Sequence, residues 1–140
     1  MTEKVNHLAV DLPCRRKSLS RARSKVTRFA LEHGFAAEAE DIALATQEAL
    51  KNVIQHACPA DNNMHLECLA TRDTMVVEVR DQGPGFDVSA VGKTSSPLAV
   101  HGRGFQLMRG LMDEVSITSD HEGTTVRMEK KRDGSPGSGD

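Results

Sequence analysis

Thr46-Gln47-Glu48-Ala49-Leu50-Lys51-Asn52-Val53-Ile54-Gln55-His56-Ala57 carries two patterns at once. Ile42, Ala45, Ala49, Leu50, Val53 and Ile54 recur at helical spacings and make one apolar stripe. Glu48, Asn52 and His56 recur every four residues. A step of four turns a helix by about 400°, so these three drift slowly around one face. The segment reads as the later part of an amphipathic helix from about Ala37 to Ala57. Beside its apolar stripe stand a carboxylate, an amide and an imidazole in a row. Taken alone, that spacing also fits a solvated polar face.

The neighbouring sequence supplies the rest of a fold. Pro59 bars further helix, and Asp61-Asn62-Asn63 reads as a turn. Upstream, Leu19, Ala22, Val26, Phe29 and Ala30 predict a helix over Lys17 to Glu32, with Ser18 or Ser20 as its cap and Gly34 as its stop. Val5 to Asp11 reads as a short strand broken by Pro13. Downstream, Met64 to Ala70 and Met75 to Arg80 alternate around Thr71-Arg72-Asp73, a β-hairpin. Asp87 to His101 has no clear period. Phe105, Leu107, Met108, Leu111 and Met112 indicate a helix following Gly104. Val115 to Thr118 and Thr124 to Met128 form a second hairpin about His121-Glu122-Gly123.

This order predicts an α+β fold, a two-layer α/β sandwich. Its mixed, mostly antiparallel sheet would be covered on one face by helices. One domain would occupy residues 1–130, and a charged, Gly/Ser-rich tail over 131–140 is expected to be disordered.

Composition narrows the function. The chain has 140 residues, a formal net charge of −2 and a pI of about 6.3, with no Trp or Tyr. It has neither the basic footprint nor the aromatic platforms that nucleic acid demands. No apolar run approaches the roughly 20 residues of a membrane span, and the N-terminus has no signal pattern. The expectation is a cytoplasmic protein with no membrane and no nucleic-acid partner. Cys14, Cys58 and Cys68 are few and odd in number, so a disulfide framework is not expected and a reducing compartment fits. His56, Cys58, His65 and Cys68 lie close in sequence, but helix end, turn and strand separate them and no Cys-x-x-Cys pair exists, which argues against zinc.

Three further segments join the helix stripe. Asp81 ends a strand and is followed by Gly83 and Gly85, which let a ligand approach the backbone. A carboxylate there can accept a hydrogen bond from an exocyclic amine, although Asp and Gly also make ordinary turns. Gly102-Arg103-Gly104 before a helix offers free N–H groups to a phosphate. Gly123-Thr124-Thr125 opens the last strand. Each segment is weak by itself, and the four in this order are specific.

Together they resemble the GHKL ATPases, and most closely the anti-sigma-factor serine/threonine kinases of bacterial partner-switching systems. The resemblance spans about Val5 to Lys130 and implies the Bergerat ATP-binding fold. It rests on the segment quoted above, Asp81-Gln82-Gly83-Pro84-Gly85-Phe86, Gly102-Arg103-Gly104-Phe105-Gln106-Leu107-Met108 with Asp113-Glu114-Val115 after it, and Gly123-Thr124-Thr125-Val126. It implies ATP and Mg²⁺ as cofactors. Asn52 matches the metal-coordinating asparagine and Glu48 the catalytic base. Asp81 matches the adenine-reading aspartate and Thr124 the threonine that supports it. Gly83 and Gly85 match the loop beside the base, and Gly102 and Gly104 the phosphate-side glycines closing a lid of about Asp87 to Arg103. Arg103 sits where it could touch a phosphate but is not counted as catalytic. His56 is assigned no chemistry.

The resemblance also implies partners: a sigma factor that the kinase sequesters, and a STAS-domain anti-anti-sigma protein that it phosphorylates. A homodimer is plausible on the same ground. Arg21 and Arg23 read either as solvated charge or as part of the partner-facing surface. No phosphoacceptor hairpin or transducer domain flanks the segment here, which favours the stand-alone kinase over a histidine kinase or a gyrase-type enzyme. The alternative is a nucleotide-gated partner-switching protein with little or no kinase activity.

Overall fold

The computed structural model describes residues 4–56, 63–81, 99–120 and 123–133; for His56, residues 99–103 and Asp120 only the backbone is described. The elements in chain order are β1 (Asn6–Pro13), α1 (Lys17–Glu32), α2 (Ala39–His56), β2 (Asn63–Ala70), β3 (Thr74–Asp81), α3 (Ala99–Leu111), β4 (Glu114–Asp120) and β5 (Gly123–Lys131). The strands form one sheet in the order β1-β2-β3-β5-β4. Its pairings among the described residues are antiparallel, in keeping with the mostly antiparallel sheet expected. The last hairpin adds to the first through β5, which leaves β4 at one edge and β1 at the other.

Side-chain alternation sorts the sheet into two faces. Leu12, Met64, Leu66, Cys68, Met75, Val77, Val79, Val126 and Met128 point to a buried face. Against it lie Ile42, Ala45, Ala49, Leu50 and Val53 of α2 and Phe105 and Met108 of α3. Each large aliphatic side chain buried there contributes about 1.5–3 kcal/mol. α2 packs against α1, α3 and β3 and is therefore the central helix of its layer. The opposite face of the sheet carries polar pairs: His7 hydrogen-bonded with Glu67 at 2.6 Å, His65 with Asp11, and the ion pair of Arg127 with Glu78 at 3.9 Å.

Helix ends explain where the chain turns. Gly34 has φ 89°, a conformation that costs glycine little, and the Phe35 N–H donates to Ala30 O at 2.8 Å to close α1. The N-terminus of α1 differs from expectation. Arg16 is its cap and gives no side-chain hydrogen bond, and Ser18 instead donates its hydroxyl to Pro13 O at 2.6 Å. Ser18 is buried beneath the β1–α1 turn, so a carbonyl of that turn captures its proton. α2 opens with Glu40 and Asp41 in its first turn, where acidic groups complement the helix dipole. Pro13 closes β1 at the sheet edge, where its missing N–H costs no internal ladder bond.

Two further expectations need adjustment. Cys14 is disulfide-bonded and Cys68 is free, so the partner of Cys14 lies outside the described residues. The odd cysteine count had pointed away from a disulfide framework. At the other end, β5 runs to Lys131, the Arg132 N–H donates to Asp73 O at 2.8 Å and the Asp133 N–H to Glu38 Oε2 at 2.7 Å. β5 and the two residues after it thus pass residue 130, and residues 134–140 lie outside the described residues. No described helix is long and apolar enough to cross a membrane.

Candidate functional site

Two polar patches interrupt the apolar layer between helices and sheet. The first lies on α2, on the flank facing α3. A Cβ added at Gly104 would come within 3.4 Å of both Asn52 Nδ2 and Asn52 Oδ1, and within 3.7 Å of Glu48 Oε2. α3 therefore crosses α2 with a bare backbone directly above the amide and the carboxylate. Asn52 Nδ2 is buried and has no hydrogen-bond partner among the described residues. A buried amide left unpaired costs about 1–3 kcal/mol, so its retention needs a reason outside packing. Glu48 is largely shielded, its side chain 17% exposed, and Lys51 Nζ stands 3.7 Å from its Oε1. The carboxylate thus has one oxygen toward Lys51 and the other toward Gly104.

The second patch ends the sheet. Along β3 the buried face reads Met75, Val77, Val79 and then Asp81; along β5 it reads Met128, Val126 and then Thr124. Asp81 and Thr124 are direct partners in the ladder, and each is 5% exposed. On the far side of β5, Ser119 is the ladder partner of Thr124, and their hydroxyl oxygens lie 2.8 Å apart. A carboxylate and two hydroxyls so aligned present acceptors and rotatable donors where the apolar face of the sheet ends. That suits a flat, mostly apolar ring with polar edges better than it suits a sugar or an ion.

The residues singled out from sequence divide as follows. Glu48, Asn52 and Gly104 converge on one patch, and Asp81 and Thr124 on the other. Gly83 and Gly85 lie outside the described residues, as does the side chain of Arg103. His56 is the last residue of α2, its side chain likewise undescribed. Most of the expected lid, residues 87–98, is also outside. The Gly102-Arg103-Gly104 segment is placed differently from expectation: α3 begins at Ala99, so these residues lie within the helix and not before it. Gly104 matters there for the absence of a side chain over Asn52, and not as part of a loop.

Sequence reasoning missed Lys51 and Ser119. The i,i+3 spacing from Glu48 to Lys51 was visible. Ser119 continues the alternation Val115, Ile117 one step beyond the strand end expected at Thr118.

Among the described residues no three His, Cys, Asp or Glu side chains converge as a metal cage. A magnesium ion held chiefly by phosphate oxygens and water needs only one or two protein ligands, and the Asn52 amide oxygen beneath the bare Gly104 backbone fits that demand. Cavities elsewhere carry less chemistry. In one of about 520 Å³ beside Glu38, Asp41 and Lys130, the Lys130 Nζ is taken up by the fold, donating to Leu111 O at 2.5 Å and to Asp41 Oδ2 at 3.5 Å.

Comparison with known proteins bears on both patches. The model of the histidine kinase-like ATPase domain matches residues 12–130, which contain all of the polar groups just described. The chain is 31% identical over 135 residues to the serine-protein kinase RsbW of Listeria monocytogenes, covering 88% of this chain and 85% of that protein. It is 29% identical over 146 residues to the serine-protein kinase RsbW of Bacillus subtilis, covering 96% and 91%. Its fold superposes on the crystal structure of the RsbU and RsbW domains of a Mycobacterium tuberculosis protein with a TM-score of 0.69, at 16% identity. That match covers 89% of this chain and 32% of the longer one, and it speaks to the fold alone.

Proposed function

The chain belongs to the histidine kinase-like ATPase domain family, and from that premise we propose that it is a cytoplasmic protein serine/threonine kinase that binds Mg-ATP and acts as an anti-sigma factor in partner switching. Its relatives at about 30% identity are named serine-protein kinases. The observation that carries the reading is the close approach of Gly104 to Asn52 and Glu48, with the Asn52 amide nitrogen buried and unpartnered among the described residues.

Each patch has a task. Asp81 accepts a hydrogen bond from the exocyclic amine of adenine, with Thr124 beside it. Asn52 would hold Mg²⁺ through its amide oxygen. When bound, that ion neutralises charge on the phosphates. Gly102 and Gly104 keep side chains away from the phosphate side. Glu48 takes the proton of the acceptor serine or threonine hydroxyl, whose oxygen then bonds to the γ-phosphorus as the bond to the ADP oxygen breaks. ADP and a phosphorylated protein are the products. The acceptor belongs to a STAS-domain anti-anti-sigma protein, and the phosphate, with a charge of about −1.5 to −2, ends that complex and frees the kinase to hold its sigma factor. A homodimer is part of the same proposal.

The test is titration calorimetry with Mg-ATP on the wild type and Asp81→Asn, followed by radiolabelled transfer to STAS-domain proteins of the same genome. Binding that disappears in Asp81→Asn, with label on a serine or threonine that Glu48→Gln reduces about 10²–10⁴-fold, is expected. Binding without transfer would replace the kinase by a nucleotide-gated binding protein. No binding would end the proposal.

A further inference from the structure

Two features mark the seam between α2 and α3, and their spacing matches. At one, Gly104 of α3 stands over Glu48 and Asn52 of α2. At the other, a single ammonium joins the two helices. Lys130 Nζ donates to the carbonyl of Leu111, the last residue of α3, at 2.5 Å, and to Asp41 Oδ2 in the first turn of α2 at 3.5 Å. Gly104 and Leu111 are seven residues apart on α3, and Asp41 and Glu48 are seven apart on α2. Seven residues advance a helix by about 10.5 Å and return it to nearly the same face. The helices therefore run in opposite directions along one seam, with the open patch at one end and the ammonium at the other. We infer that Lys130 is a positioning residue of the nucleotide site: its ammonium fixes the axial register of α3 on α2 and so keeps Gly104 over Asn52. This inference rests on the ATP-binding reading and assigns what holds that site open.

The apolar contacts of α3 set its register loosely. The large side chains buried by α3 and the turn after it are Phe105, Met108 and Met112. Burial of apolar surface has no direction, and the Met side chain adapts to several positions. Hydrogen bonds to an ammonium are directional and end at named atoms. The Leu111 carbonyl is one of the last four of its helix, which have no intrahelical donor and carry partial negative charge. The Lys130 side chain is 18% exposed, so its charge is largely withdrawn from water and depends on these two acceptors. An apolar side chain would fill the same space without that desolvation. A fixed register is the best-attested return on such a part-buried polar contact.

Register is what the patch requires. A Cβ at position 104 would already reach the Asn52 amide at 3.4 Å. A slip of α3 by one turn would set Val100, His101, Leu107 or Met108 there, and each of these has a side chain longer than a Cβ. Only the observed register leaves the space over Asn52 and Glu48 empty. Lys130 secures it from two helical turns away, without bordering the patch itself.

The experiment is calorimetric titration with Mg-ATP, well below the melting temperature of each protein, with thermal unfolding recorded beside it. The proteins are wild type, Lys130→Met, Lys130→Arg, Asp41→Asn, the Asp41→Asn/Lys130→Met double variant and Lys131→Met. Lys130→Met should weaken binding about tenfold, and Lys130→Arg, which keeps the cation, should recover most of it. Asp41→Asn should weaken binding about threefold by itself and add nothing to Lys130→Met, because both act through one ammonium. Lys131 is the next residue of β5 and is exposed, and Lys131→Met should bind as the wild type does. A lowered melting temperature in Lys130→Met with wild-type affinity overturns the inference and leaves Lys130 a stabilising residue alone. Losses that simply add in the double variant overturn it too. Failure of the wild type to bind Mg-ATP at all is a separate result, and it removes the ATP-binding reading on which the inference stands.

Discussion

Gly104 lies so close above Asn52 that a single added carbon would touch both the nitrogen and the oxygen of its amide, at 3.4 Å each. Gly104 is inside α3, and no positive φ requires glycine there. A helix-interior glycine costs about 0.5–1 kcal/mol relative to alanine. Stability alone would favour alanine, and 3.4 Å is an ordinary contact that the fold can accommodate. The position is better explained by the space it keeps open.

Gly104→Ala should therefore keep or raise the melting temperature and lose Mg-ATP affinity by at least about tenfold, or 1.4 kcal/mol. Gly110 provides the control, since a Cβ there meets nothing within 4 Å. Gly110→Ala should gain stability on the same scale, about 0.5–1 kcal/mol, with unchanged affinity. Calorimetry and thermal melts on the two variants check this. Equal binding by both would mean that Gly104 does not border the ligand.

Asn52 offers a second separation of stability from binding. Because its amide nitrogen has no partner among the described residues, Asn52→Ala removes no described hydrogen bond at that atom. Its effect on folding should stay within about 1 kcal/mol. Magnesium-dependent nucleotide binding should be abolished. Urea denaturation beside titration with and without Mg²⁺ measures both, and a large fall in stability with binding retained would assign Asn52 to the core.

These expectations show which parts of the molecule were legible beforehand. The α1 boundaries, Lys17–Glu32, follow directly from the spacing of Ala22, Val26, Phe29 and Ala30, because burial acts on that stripe alone. The start of α3 was not legible. Gly102 and Gly104 lower helix propensity and hide a helix that tertiary contact with α2 holds together. The insertion of β5 between β3 and β4 was equally hidden, since alternation reports which face is buried and not which neighbour is paired. In the site, Glu48 and Asn52 announced themselves by i,i+4 spacing on one helix. Ser119 became visible only once the ladder set it beside Thr124.

The disulfide at Cys14 gives a prediction that bears on compartment. Cys14 is 7% exposed and follows β1 immediately, so the bond anchors the β1–α1 turn. Removing a disulfide typically costs about 2–4 kcal/mol. Reducing agent should lower the melting temperature of the wild type and leave Cys14→Ser unaffected. Equal melting of the wild type with and without reductant would show the bond absent in solution, the outcome natural to a reducing cytosol.

Cys68 makes the last prediction, and its sign can be worked out. The thiol is fully buried in β2, and burial first, with the Glu67 charge second, pushes its pKa from 9.0 up to about 12. Below pH 9 the thiol is protonated in both folded and unfolded chains, so its contribution to stability is fully present. Above pH 9 the unfolded thiol ionises while the folded one does not, and stability falls until the folded group titrates near 12. The slope in that window is about 1.4 kcal/mol per pH unit. Tyrosine, which would ionise in the same range, is absent from the chain. Wild type should lose about 1.4 kcal/mol between pH 8 and pH 10 more than Cys68→Val, which fills similar volume without a titrating group. Urea denaturation of both proteins at the two pH values measures the difference. Parallel curves would mean that the native thiol ionises freely, and native Cys68 should then also react with iodoacetamide at pH 8, where a buried thiol does not.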